Sequence, residues 1–323
     1  MAKKTLFRIN SMFIFIFPFS TQGLASSFPV SIESYGRTIT LEKAPQRLIT
    51  HDINITEIAL SLNLQNKLVG VTGISGWNKF TPEFQKKIGT NVKELSKKYP
   101  SLEVILDANP DFVFAGWSYG FKPTSDFNPE SLAKFNIKSY ELKESCVHIG
   151  KKNKKASIKD LYDDTLTIGY AFGVGERAQS VVDDYKKQLQ FITNGISKTD
   201  KPLKVFVFDD IADAPFTSGG YGMPNALIES AGGINTMANI EKSWTRVSWE
   251  SVAMSNTDAY IIVNYGANSA EMKIDYLKNL SAIAHTGGFK NNRFIILDYN
   301  EVTPSPRNIK AIEKISIVLQ SKK

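Results

Sequence analysis

Two hydrophobic patterns alternate along the chain. Short continuous apolar runs recur at Arg47–Thr50, Lys67–Val71, Asp111–Ala115, Lys138–Leu142, Leu203–Asp209, Ala259–Asn264 and Phe294–Asp298. Runs of that length, bounded by turn residues, read as strands buried on both faces. Between them apolar residues step by three and four, the period of a helix with one face on a core. These segments span Thr56–Leu62, Leu102–Ala108, Pro129–Phe135, Pro224–Ala231, Glu250–Met254, Ile274–Ala284 and Arg307–Leu319. Ahead of them, alternating Val30–Ser34 and Thr38–Leu41 flank Tyr35-Gly36 and predict a hairpin. Strands that alternate with helices predict parallel sheets with covered faces.

One helical segment is longer. From Glu176 to about Ile196, Ala178, Val181, Val182, Tyr185, Leu189 and Ile192 keep the helical period. That is a helix of about 20 residues and about 30 Å, long enough to link two lobes. The chain on either side repeats a pattern. Ser101-Leu102-Glu103 through Asn109-Pro110-Asp111 aligns without gaps on Ser248-Trp249-Glu250 through Asn256-Thr257-Asp258. Each copy reads as a helix, a turn and a buried strand. The expected organisation is two α/β lobes, residues 26–172 and 200–323, joined by a linking helix at 173–199. A ligand cleft would lie between them, at the carboxyl ends of the strands.

Composition changes this picture at the N-terminus. Lys3, Lys4 and Arg8 precede the apolar stretch Met12–Phe19, and Gly23-Leu24-Ala25 follows with small residues at the two cleavage-site positions. The pattern is that of a secretory signal peptide cut after Ala25. Its apolar part is shorter than the roughly 20 residues a membrane-spanning helix needs. No cysteine follows it to accept a lipid. Cys146 is the single cysteine, so no intramolecular disulfide forms. An exported, unlipidated, soluble and monomeric protein of the periplasm is expected. The net charge of +7 includes three basic residues of the signal. The densest basic run, Lys151, Lys152, Lys154 and Lys155, is too short to argue for nucleic acid.

Several motifs carry candidate chemistry. Gly116-Trp117-Ser118-Tyr119-Gly120 has the spacing of a nucleophile elbow, with His285 as a paper partner for Ser118. Pro123 and Pro129 exclude the long helix that must follow an elbow, so a serine hydrolase is a remote reading. Gly219-Gly220-Tyr221-Gly222 precedes a helix and has amides for an anion, but lacks the lysine of a phosphate loop. His51, His148 and His285 are far apart, so no metal centre is expected. Cys146 reads first as a small buried hydrophobe; the alternative is that Cys146 and His148 alternate on one face of an expected strand, from which both would reach a metal. His51 ends the first buried strand, where a cleft residue sits. Trp77, Trp117, Tyr119, Phe216, Tyr221, Trp244, Tyr265 and Tyr299 fall in connections at strand ends, with Arg246 and Arg307 in similar segments. Each aromatic alone reads as core. Together, aromatic walls and a few cations suit a bulky, flat, partly anionic ligand.

Seven stretches carry a resemblance. Ala44-Pro45-Gln46-Arg47-Leu48-Ile49, Thr56-Glu57-Ile58-Ala59-Leu60 and Leu68-Val69-Gly70-Val71 resemble the opening of periplasmic binding proteins for iron–siderophore complexes and cobalamin. Ser101-Leu102-Glu103 through Val113 resembles their first lobe. Ala214–Gly219, Leu227–Gly233 and Trp244–Val252 resemble their second. The resemblance implies two α/β lobes on one rigid helix, little hinge closure, no catalysis and delivery to an inner-membrane ABC permease with its ATPase. It implies a cleft lined by His51, Trp77, Trp117, Tyr119, Phe216, Tyr221, Trp244, Arg246, Tyr265 and Arg307. It also implies that Glu57 and Glu250, one per lobe, dock on the permease. A ferric siderophore is the first expected ligand, cobalamin the second and haem the third.

Overall fold

The computed structural model describes residues 27–77, 81–150, 154–197 and 199–321. The signal peptide and Lys151 and Lys152 of the basic run lie outside the described residues.

The hairpin forms as β1 (Val30–Ser34) and β2 (Arg37–Leu41), paired antiparallel. The first sheet then builds by crossovers. Its elements are β3 (Leu48–His51), α1 (Ile53–Ser61), β4 (Leu68–Thr72), α2 (Pro82–Ile88) and β5 (Glu94–Ser96). They continue with α3 (Leu102–Asp107), β6 (Phe112–Trp117), β7 (Gly120–Phe121), α4 (Pro129–Lys134) and β8 (Lys138–Glu141). The strand order is β5-β4-β3-β6, with β7 and β8 both pairing β6, and every pair is parallel. Ile49, Val71, Val113 and Phe114 are wholly buried, as continuous apolar strands in a covered sheet require.

Two helices follow, α5 (Ile158–Ala171) and the 20-residue α6 (Gly175–Asn194). At about 1.5 Å per residue α6 is about 30 Å long, and it leads from the first sheet to the second. The second lobe comprises β9 (Lys204–Phe208), β10 (Phe216–Ser218), α7 (Met223–Ser230), β11 (Ile234–Asn235), β12 (Trp244–Arg246) and α8 (Trp249–Met254). It ends with β13 (Ala259–Asn264), α9 (Ala270–Lys278), α10 (Gly287–Lys290), β14 (Phe294–Asp298), α11 (Tyr299–Val302) and α12 (Asn308–Gln320). Its sheet is parallel in the order β11-β9-β13-β14. The fold is therefore two α/β lobes with parallel sheets.

The repeated helix–turn–strand unit is real in space. Ser101 caps α3 through Val104 N, and Ser248 caps α8 through Ser251 N. Asn109 and Asn256 both turn the chain with positive φ, a conformation asparagine tolerates better than most residues. One expected strand is absent. Cys146 and His148 lie in a 3-10 helix, Glu144–Ile149, where the Cys146 thiol donates to Leu142 O at 3.7 Å. The two side chains therefore do not alternate on a strand face. Burial pushes the Cys146 thiol well up, as for a small buried hydrophobe.

A single apolar cluster runs through both lobes, from Leu48 and Ile58 to Val205, Ile261 and Ile312. Polar ties accompany it. Asn54 Nδ2 donates to Pro304 O at 3.0 Å, Tyr299 Oη to Asp52 Oδ2 at 2.8 Å and Ala156 N to Tyr221 O at 3.1 Å.

Candidate functional site

The carboxyl ends of both sheets open on one cleft. Its cavity of about 320 Å³ is lined from the first lobe by Ser118, Tyr119 and His148. Asp209, Phe216, Trp244, Tyr265, Tyr299, Val302 and Thr303 line it from the second. An adjoining recess of about 410 Å³ shares Tyr265 and adds Trp77, Asp210 and Asn268. Gly266 N donates to Trp77 O across it at 2.8 Å.

Strand ends position each of these groups. β10 and β12 pair antiparallel, setting Phe216 opposite Arg246 and Ser218 opposite Trp244. Alternation along both strands places Phe216, Trp244 and Arg246 on one face. There Phe216 stacks on Trp244 with centroids 5.7 Å apart, and the Arg246 guanidinium lies 5.5 Å from the Phe216 ring. Tyr265 and Tyr299 form a second pair at 5.6 Å. Asp209 follows β9, and its Oδ2 accepts from Tyr265 Oη at 2.6 Å. Burial pushes Asp209 up to about 6, against the Tyr265 hydrogen bond and the charge of Lys273. The Tyr265 hydrogen bond and the nearby charges of Lys273 and Arg246 favour its carboxylate form. Burial and Asp209 both push the Tyr265 hydroxyl up, so it stays a donor.

His148 is solvent-exposed at the edge of the cleft, and partial desolvation by the first-lobe wall pushes its imidazole down from the ordinary value. Its ring meets Tyr119 edge-on at 6.3 Å. A neutral imidazole at a cleft wall offers a lone pair to a donor or a metal carried by the ligand. Behind Tyr119 sits Glu144, whose Oε1 accepts from Ser243 Oγ of the second lobe at 2.9 Å.

Four of the expected cleft residues, Tyr119, Phe216, Trp244 and Tyr265, line this cavity, and Trp77 lines the recess. The remaining five do not. His51 does end β3, but its side chain turns inward. It is stacked on Tyr99 at 5.4 Å, bonded through Nδ1 to Thr72 Oγ1 at 2.8 Å, and pushed by burial down to about 3. A Cβ on Gly73 or Gly120 would lie 2.7 or 2.8 Å from its ring, so both glycines are needed to seat it. Trp117 packs in the first-lobe core against Phe121 at 5.9 Å. Tyr221 is buried, its main chain tying the two lobes. Arg246 is exposed at the rim, where Nη1 donates to Ala214 O at 2.7 Å. Arg307 lies elsewhere: its Nε donates to Glu57 Oε1 at 2.7 Å, beside a different recess.

That pairing also corrects Glu57. It is 9% exposed, with Oε2 accepting from Asn300 Nδ2 at 2.9 Å, so it presents no free carboxylate to a partner. Burial pushes its pKa up despite Arg307. Glu250 is exposed in the first turn of α8, and its counterpart in the repeat, Glu103, is exposed in the first turn of α3. The internal repeat itself was the signal that pairs Glu103 with Glu250. Asp209 and Ser118 were also missed as cleft residues, although the end of a buried strand marks Asp209.

Ser118 has the positive φ of 63° that an elbow nucleophile adopts, but β7 takes the place of the helix an elbow needs. His285 is exposed in the second lobe. The amides of Gly219, Gly220 and Tyr221 are spent on the carbonyls of Ser243, Ile240 and Lys242, which leaves no anion cradle. Among the described residues no group of three or more His, Cys, Asp or Glu side chains is placed to hold a metal ion.

The family model for periplasmic binding proteins matches residues 48–301. The chain is 24% identical over 293 residues to the uncharacterized ABC transporter substrate-binding lipoprotein YvrC of Bacillus subtilis, covering 90% of this chain and 85% of that protein. It is 25% identical over 281 residues to a vitamin B12-binding protein of Vibrio vulnificus, covering 86% and 92%. Among solved structures, a periplasmic binding protein from Veillonella parvula superposes with a TM-score of 0.78 at 26% identity, covering 91% of this chain and 98% of that one. A protein of an ABC-type Fe3+-hydroxamate transport system from Saccharomonospora viridis gives 0.76 at 19% identity, covering 91% and 100%, a likeness of fold.

Proposed function

Since the chain belongs to the periplasmic binding protein family, we propose that it captures a bulky metal chelate free of net negative charge and hands it to an ABC permease with its ATPase. A ferric hydroxamate is the first reading. The observation that carries it is the charge of the cleft. The described lining residues include one acid, Asp209, and no lysine or arginine, and Arg246 stands outside the lining, over the Phe216 ring. Three hydroxamates neutralise ferric iron, whereas three catecholates leave a trianion. Moving a trianion out of water to face a carboxylate is costly without paired cations. The same argument weighs against the two propionates of haem. Cobalamin is the second reading. It is favoured by the vitamin B12-binding relatives and by an aromatic cleft able to pack a flat corrin.

Tryptophan fluorescence tests this directly, because Trp244 lines the cavity. The mature protein is titrated with a ferric trihydroxamate, a ferric tricatecholate, ferric citrate, cobalamin and haem. Hydroxamate binding with weak or absent catecholate binding supports the first reading. Tight binding of the tricatecholate overturns it, and binding of cobalamin alone selects the second. We also infer export with cleavage after Ala25 and without a lipid, which intact-mass measurement of the periplasmic protein checks. Docking is assigned to Glu103 and Glu250, exposed carboxylates at matching positions of the two lobes, which suit arginines of a two-fold permease.

A further inference from the structure

Asp209 combines a buried carboxylate with an open oxygen. The residue is 6% exposed, and Oδ2 is taken by the Tyr265 hydroxyl at 2.6 Å. Among the described residues Oδ1 takes no hydrogen bond, and the side chain lines the cavity. Lys273 sits behind, wholly buried. Its Nζ donates to the main-chain carbonyls of Asp209 and Val263 at 2.5 and 2.7 Å and lies 4.5 Å from the Tyr265 ring. It offsets part of the carboxylate charge from the protein side and braces the ends of β9 and β13. The cleft side carries aromatic rings, stacked Phe216 and Trp244 and the pair Tyr265 and Tyr299, with the Arg246 guanidinium 5.5 Å from the Phe216 ring.

A role confined to holding Tyr265 would use Oδ2 alone and needs no carboxylate, since an amide oxygen accepts the same bond. Keeping an acid with one oxygen turned to an aromatic cleft costs desolvation. That cost is offset when a cation arrives. Ring faces attract a cation through their quadrupole, and an N–H donor on that cation completes a charge-assisted bond to Oδ1.

We propose that the ligand presents an ammonium group to Asp209 Oδ1 between the aromatic pairs, so that the protein selects cationic chelates over neutral ones of the same core. The proposal deepens, and rests on, the reading of the cleft as a site for a chelate without negative charge.

The probes are a linear ferric trihydroxamate with a free terminal ammonium and the same chelate N-acetylated, which differ in that one charge. Calorimetric titration of the wild-type protein is expected to show the ammonium form bound about tenfold or more tightly. In Asp209→Asn, which keeps an acceptor for Tyr265, that preference should collapse to within about threefold, mostly through weaker binding of the ammonium form. Equal binding of both forms by the wild type overturns the inference and leaves the chelate reading standing. Binding of neither form overturns both the inference and the ferric-hydroxamate reading. A preference that survives unchanged in folded Asp209→Asn also overturns it. Should that variant not fold, the wild-type comparison of the two probes still decides.

Discussion

Arg307 reaches Glu57 from the second lobe, and Asn300 takes the other carboxylate oxygen. Removing the guanidinium leaves a buried carboxylate with one neutral partner. Arg307→Ala is therefore expected to cost about 3 kcal/mol in denaturant unfolding, with ligand affinity unchanged. Lost affinity at normal stability would return Arg307 to the cleft. Glu144 answers to pH. Burial pushes it up to about 7 from an ordinary 4.5, with the Ser243 hydrogen bond pulling the other way. Between those values the folded chain keeps a proton that the unfolded chain has lost. Its contribution to stability is thus full at low pH and declines as pH rises towards 7. Glu144→Gln should gain thermal stability over the wild type at pH 8 and lose that advantage by pH 5. His51, pushed down to about 3, acts oppositely below pH 6.5 and cancels in the comparison. Residue by residue, position was legible and direction was not. The end of a strand located both His51 and Asp209. Which way His51 turns is decided by Thr72, Tyr99, Gly73 and Gly120, brought together by other strands.

Most helices and strands with a full period were read from the sequence to within a few residues, β13 at its observed limits, although the expected helix Ile274–Ala284 forms as α9 at Ala270–Lys278. The short ones were not. β10 and β12 have three residues each, too few to show an alternation, yet they carry Phe216 and Trp244. The segment holding His148, expected as strand, coils into a 3-10 helix. Much of the cleft wall was therefore invisible as structure, though its aromatic residues stood out by composition. The repeat α3 and α8 was visible, and it yields an element-scale prediction. Glu103→Ala with Glu250→Ala should leave folding and ligand affinity intact while lowering uptake and permease association in reconstituted vesicles. The acids also lie in the first turns of their helices, where the helix dipole favours an exposed carboxylate. Unchanged uptake with a small loss of stability would reduce both to that helix-end role.

Both lobes share one apolar cluster, and polar bonds cross between them at Asn54–Pro304, Asp52–Tyr299, Glu57–Arg307, Glu144–Ser243 and Trp77–Gly266. Opening the lobes would break several buried bonds at once, each costing about 1–3 kcal/mol when left unmade. Small-angle scattering should accordingly give one radius of gyration with and without ligand. A contraction on binding would show that the ties rearrange and that a hinge exists. The two-lobe plan was legible because periodicity and the repeat are properties of the whole chain. The ties were not, because they join groups some 100 to 250 positions apart. They bear on supply as well as shape. A carrier that keeps one form offers the transporter the same docking face whether loaded or empty. Empty molecules then compete with loaded ones for a limited number of permeases, and uptake slows when the cell makes more carrier than it has chelate to fill. Expression matched to chelate supply, rather than as high as possible, would give the fastest import.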